Sequence, residues 1–186
     1  MKNLFVFAIA GLLLSGCSNS TPKNGTQDQQ PQTRIEITND MENAAAVIPS
    51  WINEKTVVAV EGIKAHSGEY ACVTNDTSEY GYAYLERIKN INSTLPKVVT
   101  VTGWVYTTIT NPKLGIILDI SQDNNLYDWK VFPLTNDLTE TGKWVEFKAI
   151  FYFDKPLNPE QTIKIFPWNQ SKKPIYFDDL KITFEY

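Results

Sequence analysis

From Arg34 onward, apolar and polar residues alternate in short runs, and no segment sustains a helical repeat. Alternation with a period of two is the mark of strands that are buried on one face. The runs predict strands at Arg34–Thr38, Thr56–Val60, Glu69–Thr74, Tyr80–Arg87, Lys97–Thr107, Leu114–Ser121, Tyr127–Phe132, Lys143–Phe153, Thr162–Pro167 and Ile175–Tyr186, with at most a turn of helix in Leu85–Ile91. Asn, Asp, Gly and Pro clusters separate them, so the expected architecture is all-β, a two-sheet antiparallel sandwich or a barrel.

The same alternation assigns faces. Val99, Val101, Gly103 and Val105 point one way, and Thr100, Thr102, Trp104 and Tyr106 the other. Leu114, Ile116, Leu118 and Ile120 oppose Asp119 and Ser121. Val145, Phe147, Ala149, Phe151 and Phe153 form a dense core face opposite Trp144, Glu146 and Lys148, and Ile163 and Ile165 oppose Lys164, Phe166 and Trp168. Several strands thus carry one aliphatic face and one mixed aromatic and polar face.

The first 33 residues read differently. Lys2 precedes an apolar stretch, Leu4 to Leu14, too short for a permanent membrane span, which ends in Leu14-Ser15-Gly16-Cys17. This resembles a bacterial lipoprotein signal with its lipobox, which implies a signal peptide over residues 1–17, diacylglycerol on the thiol of Cys17 and stable membrane attachment through acyl chains. Ser18 after the cysteine points to the outer membrane and leaves the leaflet open. Residues 18–33 contain no aliphatic or aromatic side chain and form a polar tether of about 20–25 Å root-mean-square reach. The folded domain is expected over residues 34–186.

Composition narrows the chemistry. The 186 residues carry 17 Lys+Arg against 21 Asp+Glu, a net charge of −4, and loss of Lys2 with the signal makes it −5. An acidic chain of this kind lacks the basic stripe of a nucleic-acid binder. One histidine, His66, excludes His-cluster metal sites and leaves a His-dependent hydrolase a single base. Of two cysteines, Cys17 is committed to lipid, so Cys72 has no intrachain partner and reads as a small buried residue. There is no Gly-rich phosphate loop, no Cys-x-x-Cys pair and no nucleophile elbow. Asp119 and Glu146 are the carboxylates a glycosidase would need at ~5–10 Å, but nothing in the sequence selects them, and a non-enzyme is expected.

The motif order carries a resemblance: Asn39-Asp40-Met41-Glu42, Trp51, Ala65-His66-Ser67-Gly68, Gly103-Trp104-Val105-Tyr106, Thr141-Gly142-Lys143-Trp144, Trp168-Asn169 and Ile175-Tyr176-Phe177-Asp178-Asp179-Leu180. It resembles the carbohydrate-binding modules of the galactose-binding-like jelly-roll type, in the family 4 and family 9 group, over about residues 35–186. The resemblance implies a structural calcium held by Glu42, the Ser67–Glu69 loop and Asp178, with Asp40 and Glu61 in reserve. Read without it, Glu42 is a surface acid and Asp178 a turn or cross-strand acceptor. Adjacent strand residues face opposite ways, so only one of Asp178 and Asp179 is expected at an interior site. His66 is expected to pack or to hydrogen-bond in its loop.

Sugar binding needs flat aromatic faces for the C–H surfaces of pyranose rings and planar polar groups for hydroxyls. The candidates are Trp104, Tyr106, Asp119, Trp129, Trp168 and Asn169, with Lys148 as a further polar partner and Trp51, in a loop, at the rim. Trp144 reads as structural. Strand pairing is not readable from the sequence, so the site lies either on one concave sheet face or in the loops at one end. The expected role is a lipid-anchored, non-catalytic binder of poly- or oligosaccharide. The alternative is a structural or protein-interaction lipoprotein of the same fold with an envelope protein as partner.

Overall fold

A computed structural model describes residues 33–186 apart from 44, 45, 47, 137 and 139. The expected signal, Cys17 and the tether up to residue 32 lie outside the described residues. Alternation becomes eleven strands: β1 (Arg34–Asn39), β2 (Trp51–Ile52), β3 (Val57–Ala59), β4 (Tyr70–Thr74), β5 (Ala83–Arg87), β6 (Val98–Thr107), β7 (Leu114–Gln122), β8 (Asn125–Pro133), β9 (Trp144–Tyr152), β10 (Thr162–Asn169) and β11 (Ile175–Glu185). The expected turn of helix is α1 (Ile88–Ile91), directly after β5.

All pairings are antiparallel. The first sheet runs β3-β4-β11-β6-β9, with β1 also on β11; the second runs β2-β5-β10-β7-β8. The all-β two-sheet sandwich expected from the pattern is the fold found. The last strand is the organiser of the first sheet: its first half pairs with β4, its second with β1, and β6 runs along its other side.

The core lies between the sheets. Val99, Val101 and Val105 of β6, Phe147, Ala149 and Phe151 of β9, Phe177, Ile182 and Phe184 of β11 meet Ile116, Leu118 and Ile120 of β7 and Ile163 and Ile165 of β10. These are the aliphatic faces read from the sequence, and their removal from water is the main force holding the sheets together. Trp51 departs from its expected place. It pairs as β2 with β5, is 7 % exposed, and its ring lies 5.1 Å from that of Tyr82 and 5.7 Å from that of Tyr84. It is a core residue rather than a rim contact, because a two-residue strand too short to show alternation turns it inward.

β7 is buried on both faces. Its outward Ile117 is fully buried with Phe166 of β10 and Ala83 of β5, and Trp168 packs against this second, smaller apolar cluster. The outer face of the second sheet therefore carries a hydrophobic layer of its own.

Candidate functional site

The pairing register builds that outer face in rows. Lys164 of β10 lies opposite Asp119 of β7, which lies opposite Trp129 of β8. In the next row Phe166 lies opposite Ile117, and Ile117 opposite Val131. Beyond it Trp168 lies opposite Gly115 and bridges to Tyr80. Directly opposed residues share a face, so these side chains stand together on one surface.

Three rings shape it. Phe166 is a buried floor, 3 % exposed. Tyr80 stands edge-on to it at 5.6 Å and 79°, and Trp129 at 5.9 Å and 66°. Tyr80 and Trp129 keep 46 % and 42 % of their surface in solvent, unusual for rings of this size. Tyr80 is held by its neighbour loop: the Asn53 amide donates to the Tyr80 and Gly81 carbonyls at 2.8 and 3.1 Å. The rings enclose an open cavity of about 390 Å³, with Lys164, Asp119 and Asn53 also on its wall. That is the size range of small-ligand clefts, ~300–1,000 Å³.

Trp168 stands at the end of the same face, and Asn169, next along β10, turns its side chain inward. The Trp168 indole N–H donates to Glu79 at 2.9 Å. Asn169 is 1 % exposed, and its amide donates to the Thr74 and Lys173 carbonyls while its oxygen accepts from the Ser171 N–H. It ties β4 to the loop after β10 and steadies the backbone that carries Trp168.

Trp104 and Tyr106 stand on the outer face of the first sheet, on the opposite side of the sandwich. The six sugar candidates are thus divided: Asp119, Trp129, Trp168 and Asn169 on one sheet, Trp104 and Tyr106 on the other. The loop before β4 folds over Trp104. The His66 ring stacks on the indole at 3.9 Å and 14°, and Trp144 meets His66 edge-on while donating its indole N–H to the Lys64 carbonyl. Tyr106 packs between Trp144 and Tyr176. A hollow of about 550 Å³ lies beside Trp104, but acids and amides line much of it, among them Asp40, Glu146, Asp179 and Asn39. Lys148 points outward from this sheet too, as the partner of Thr102.

The expected calcium ligands surround that loop. Both Glu42 oxygens accept from the Glu69 N–H, and one accepts from the Tyr70 N–H. Gly68 has φ +54°, and a Cβ there would lie 2.1 Å from the Glu42 carboxyl carbon, so only glycine admits this contact. Asp178, fully buried, accepts from the His66 and Ser67 N–H groups and from that of Asp179. Burial pushes its carboxyl up to about 6, against the pull of those N–H groups. None of these donors bears a full positive charge, so a hard cation would stabilise the ionised form. Of the expected ligands only Glu42 and Asp178 carry acidic side chains engaged with this loop, and among the described residues no group of three or more His, Cys, Asp or Glu side chains is placed to hold a metal ion.

The sequence-based expectation that only one of the two aspartates reaches the interior junction is corrected here. The pairing of β11 with β6 shifts between Asp178 and Lys181, and Asp179 has φ +48°. The bulge breaks alternation. Asp179 turns back onto the same loop as Asp178, accepting from the Ser67 hydroxyl at 2.7 Å and meeting His66 Nδ1 at 2.5 Å.

No family model matches the sequence, and no curated protein matches it significantly. Solved structures do match. The second family 22 xylan-binding domain of Paenibacillus barcinonensis Xyn10C is 17 % identical, with a TM-score of 0.54 over 80 % of this chain and 98 % of that one. The first such domain of the same protein is 13 % identical, with a TM-score of 0.52 over 80 % and 93 %. The chain has the jelly-roll fold of carbohydrate-binding modules. At such identities the likeness concerns the fold alone.

Tyr80, Phe166 and Lys164 were missing from the sequence-derived candidates. The signal was present for two of them, since Lys164 and Phe166 alternate onto the same face as Trp168. Tyr80 reached the face through an isolated bridge that no local pattern announces.

Proposed function

We propose that this jelly-roll module binds glycan, without catalysis, in the slot of the second sheet. The carrying observation is the pair of exposed rings, Tyr80 and Trp129, standing over buried Phe166. Rings held this way by packing offer apolar faces to sugar C–H surfaces at little entropic cost. Asp119 and Lys164 supply hydroxyl partners, and Trp168, positioned by Asn169, extends the face. Trp104, stacked under His66, and Tyr106, packed between Trp144 and Tyr176, form a separate aromatic group whose packing favours a structural part.

The reading extends to the segments outside the described residues. The module is anchored by lipid on Cys17 in the bacterial envelope, at the outer membrane, and residues 18–33 tether it. Calcium belongs to the same proposal: Glu42 and Asp178, with Ser67 and Glu69 between them, would hold it, and its part would be to stiffen the junction of the loop with β11. Support comes from the buried Asp178 carboxylate and from the resemblance to modules that carry such an ion.

The test is isothermal titration of the purified full-length protein against neutral polysaccharides, beginning with xylan, the polymer named for the two structural neighbours. Binding that falls at least tenfold in Trp129→Ala and persists in Trp104→Ala supports the slot. Silence from folded protein across the panel sinks it and favours a protein partner.

A further inference from the structure

Asp119 and Lys164 face one another across adjacent strands and line the same cavity, yet they form no ion pair within 4.0 Å among the described residues. The Lys164 ammonium lies over the Phe166 ring, 4.8 Å from its centroid, and among the described residues the ammonium makes no hydrogen bond or ion pair. Asp119 accepts from the Ser121 hydroxyl at 2.9 Å and has no cationic partner among the described residues. A carboxylate has about four acceptor sites and an ammonium three donors, so both retain most of their capacity. The face thus presents an opposite-charge couple beside apolar rings, with its hydrogen-bonding capacity directed at whatever enters the slot.

Resting on the glycan reading above, we propose that this couple selects uncharged glycans, with Lys164 donating to one ring hydroxyl and Asp119 accepting from a neighbouring one. The chemistry discriminates by what it leaves unsatisfied. A uronate or sulfated sugar satisfies Lys164 but brings a like charge against Asp119. An amino sugar satisfies Asp119 but sets its ammonium against Lys164. A diol donates to one group and accepts from the other, and no net charge is buried. The Phe166 ring holds the ammonium in place by attraction to its face, which keeps the donor set preorganised.

The experiment titrates the full-length protein with xylan, mixed-linkage β-glucan and polygalacturonate at fixed salt. The variants are Asp119→Asn, Lys164→Met and Trp129→Ala, each checked for folding by circular dichroism. Met keeps a straight apolar chain on Phe166 and removes the ammonium, with both its charge and its donors. The wild type is expected to bind its best neutral polymer at least tenfold more tightly than polygalacturonate. Asp119→Asn should narrow that ratio at least threefold by leaving Lys164 unopposed, and Lys164→Met should weaken neutral binding about tenfold. Trp129→Ala should weaken all ligands alike. Neutral binding with a ratio near one, or a ratio unmoved by Asp119→Asn, overturns this inference and leaves glycan binding standing. Binding of no polymer by folded wild type overturns both.

Discussion

Asp178 and Asp179, consecutive in β11, both accept hydrogen bonds from the His66–Ser67 turn, Asp178 from its backbone N–H groups and Asp179 from the Ser67 side chain. Two neighbours in a regular strand cannot do this. The bulge at Asp179 makes it possible, and it clamps the loop over Trp104 onto the last strand.

That clamp has a pH signature. The buried Asp178 carboxyl has its pKa raised from 3.8 to about 6 by folding, so its stabilising contribution is complete below the unfolded value and is lost as pH rises through about 6. In chelator, the stability of the wild type relative to Asp178→Asn should fall between pH 4 and 7, as read from urea midpoints. If calcium binds there, millimolar calcium will remove the fall and raise the melting temperature at pH 7. Identical curves with and without calcium would reject the ion.

Gly68→Ala should destabilise the protein by about 1–3 kcal/mol, since it combines a left-handed backbone with a collision against Glu42. Gly62→Ala, also at positive φ but with open space around it, should cost less. Denaturant midpoints of the two variants give the comparison, and equal losses would show that backbone strain alone matters at Gly68.

The aromatic slot separates binding from folding. Trp129 is 42 % exposed, so Trp129→Ala should change stability by less than about 1 kcal/mol while reducing glycan affinity. Phe166→Ala removes a buried ring from beneath it and should cost ~3 kcal/mol. A Trp129→Ala variant that unfolds as easily as Phe166→Ala would assign Trp129 to the core.

Cys72 is fully buried and burial pushes its thiol up to about 11. At pH 8 it should not react with a disulfide reagent in native protein. In denaturant, the lipidated chain should release one equivalent of thiol and a chain with unmodified Cys17 two. Two equivalents from membrane-extracted protein would contradict the lipid anchor.

Local pattern alone determined much of this protein. The period of two in Val99–Tyr106, Leu114–Ser121 and Ile163–Trp168 is a property of successive residues, so strand identity, the buried faces and the all-β class were legible. The same alternation placed Lys164, Phe166 and Trp168 together. What the tertiary structure decided was everything that depends on which strands become neighbours. Trp104 and Trp129 look alike in sequence, yet β6 pairs with β11 and β8 with β7, and that puts them on opposite sides of the sandwich. The Asp119–Lys164 couple exists only because β7 and β10 align in that register. Strand pairing joins residues tens of positions apart, and its energy lies in contacts no local window contains. The bulge at Asp179 and the inward turn of Trp51 are decided the same way, by close packing that overrides alternation where loop and strand must meet.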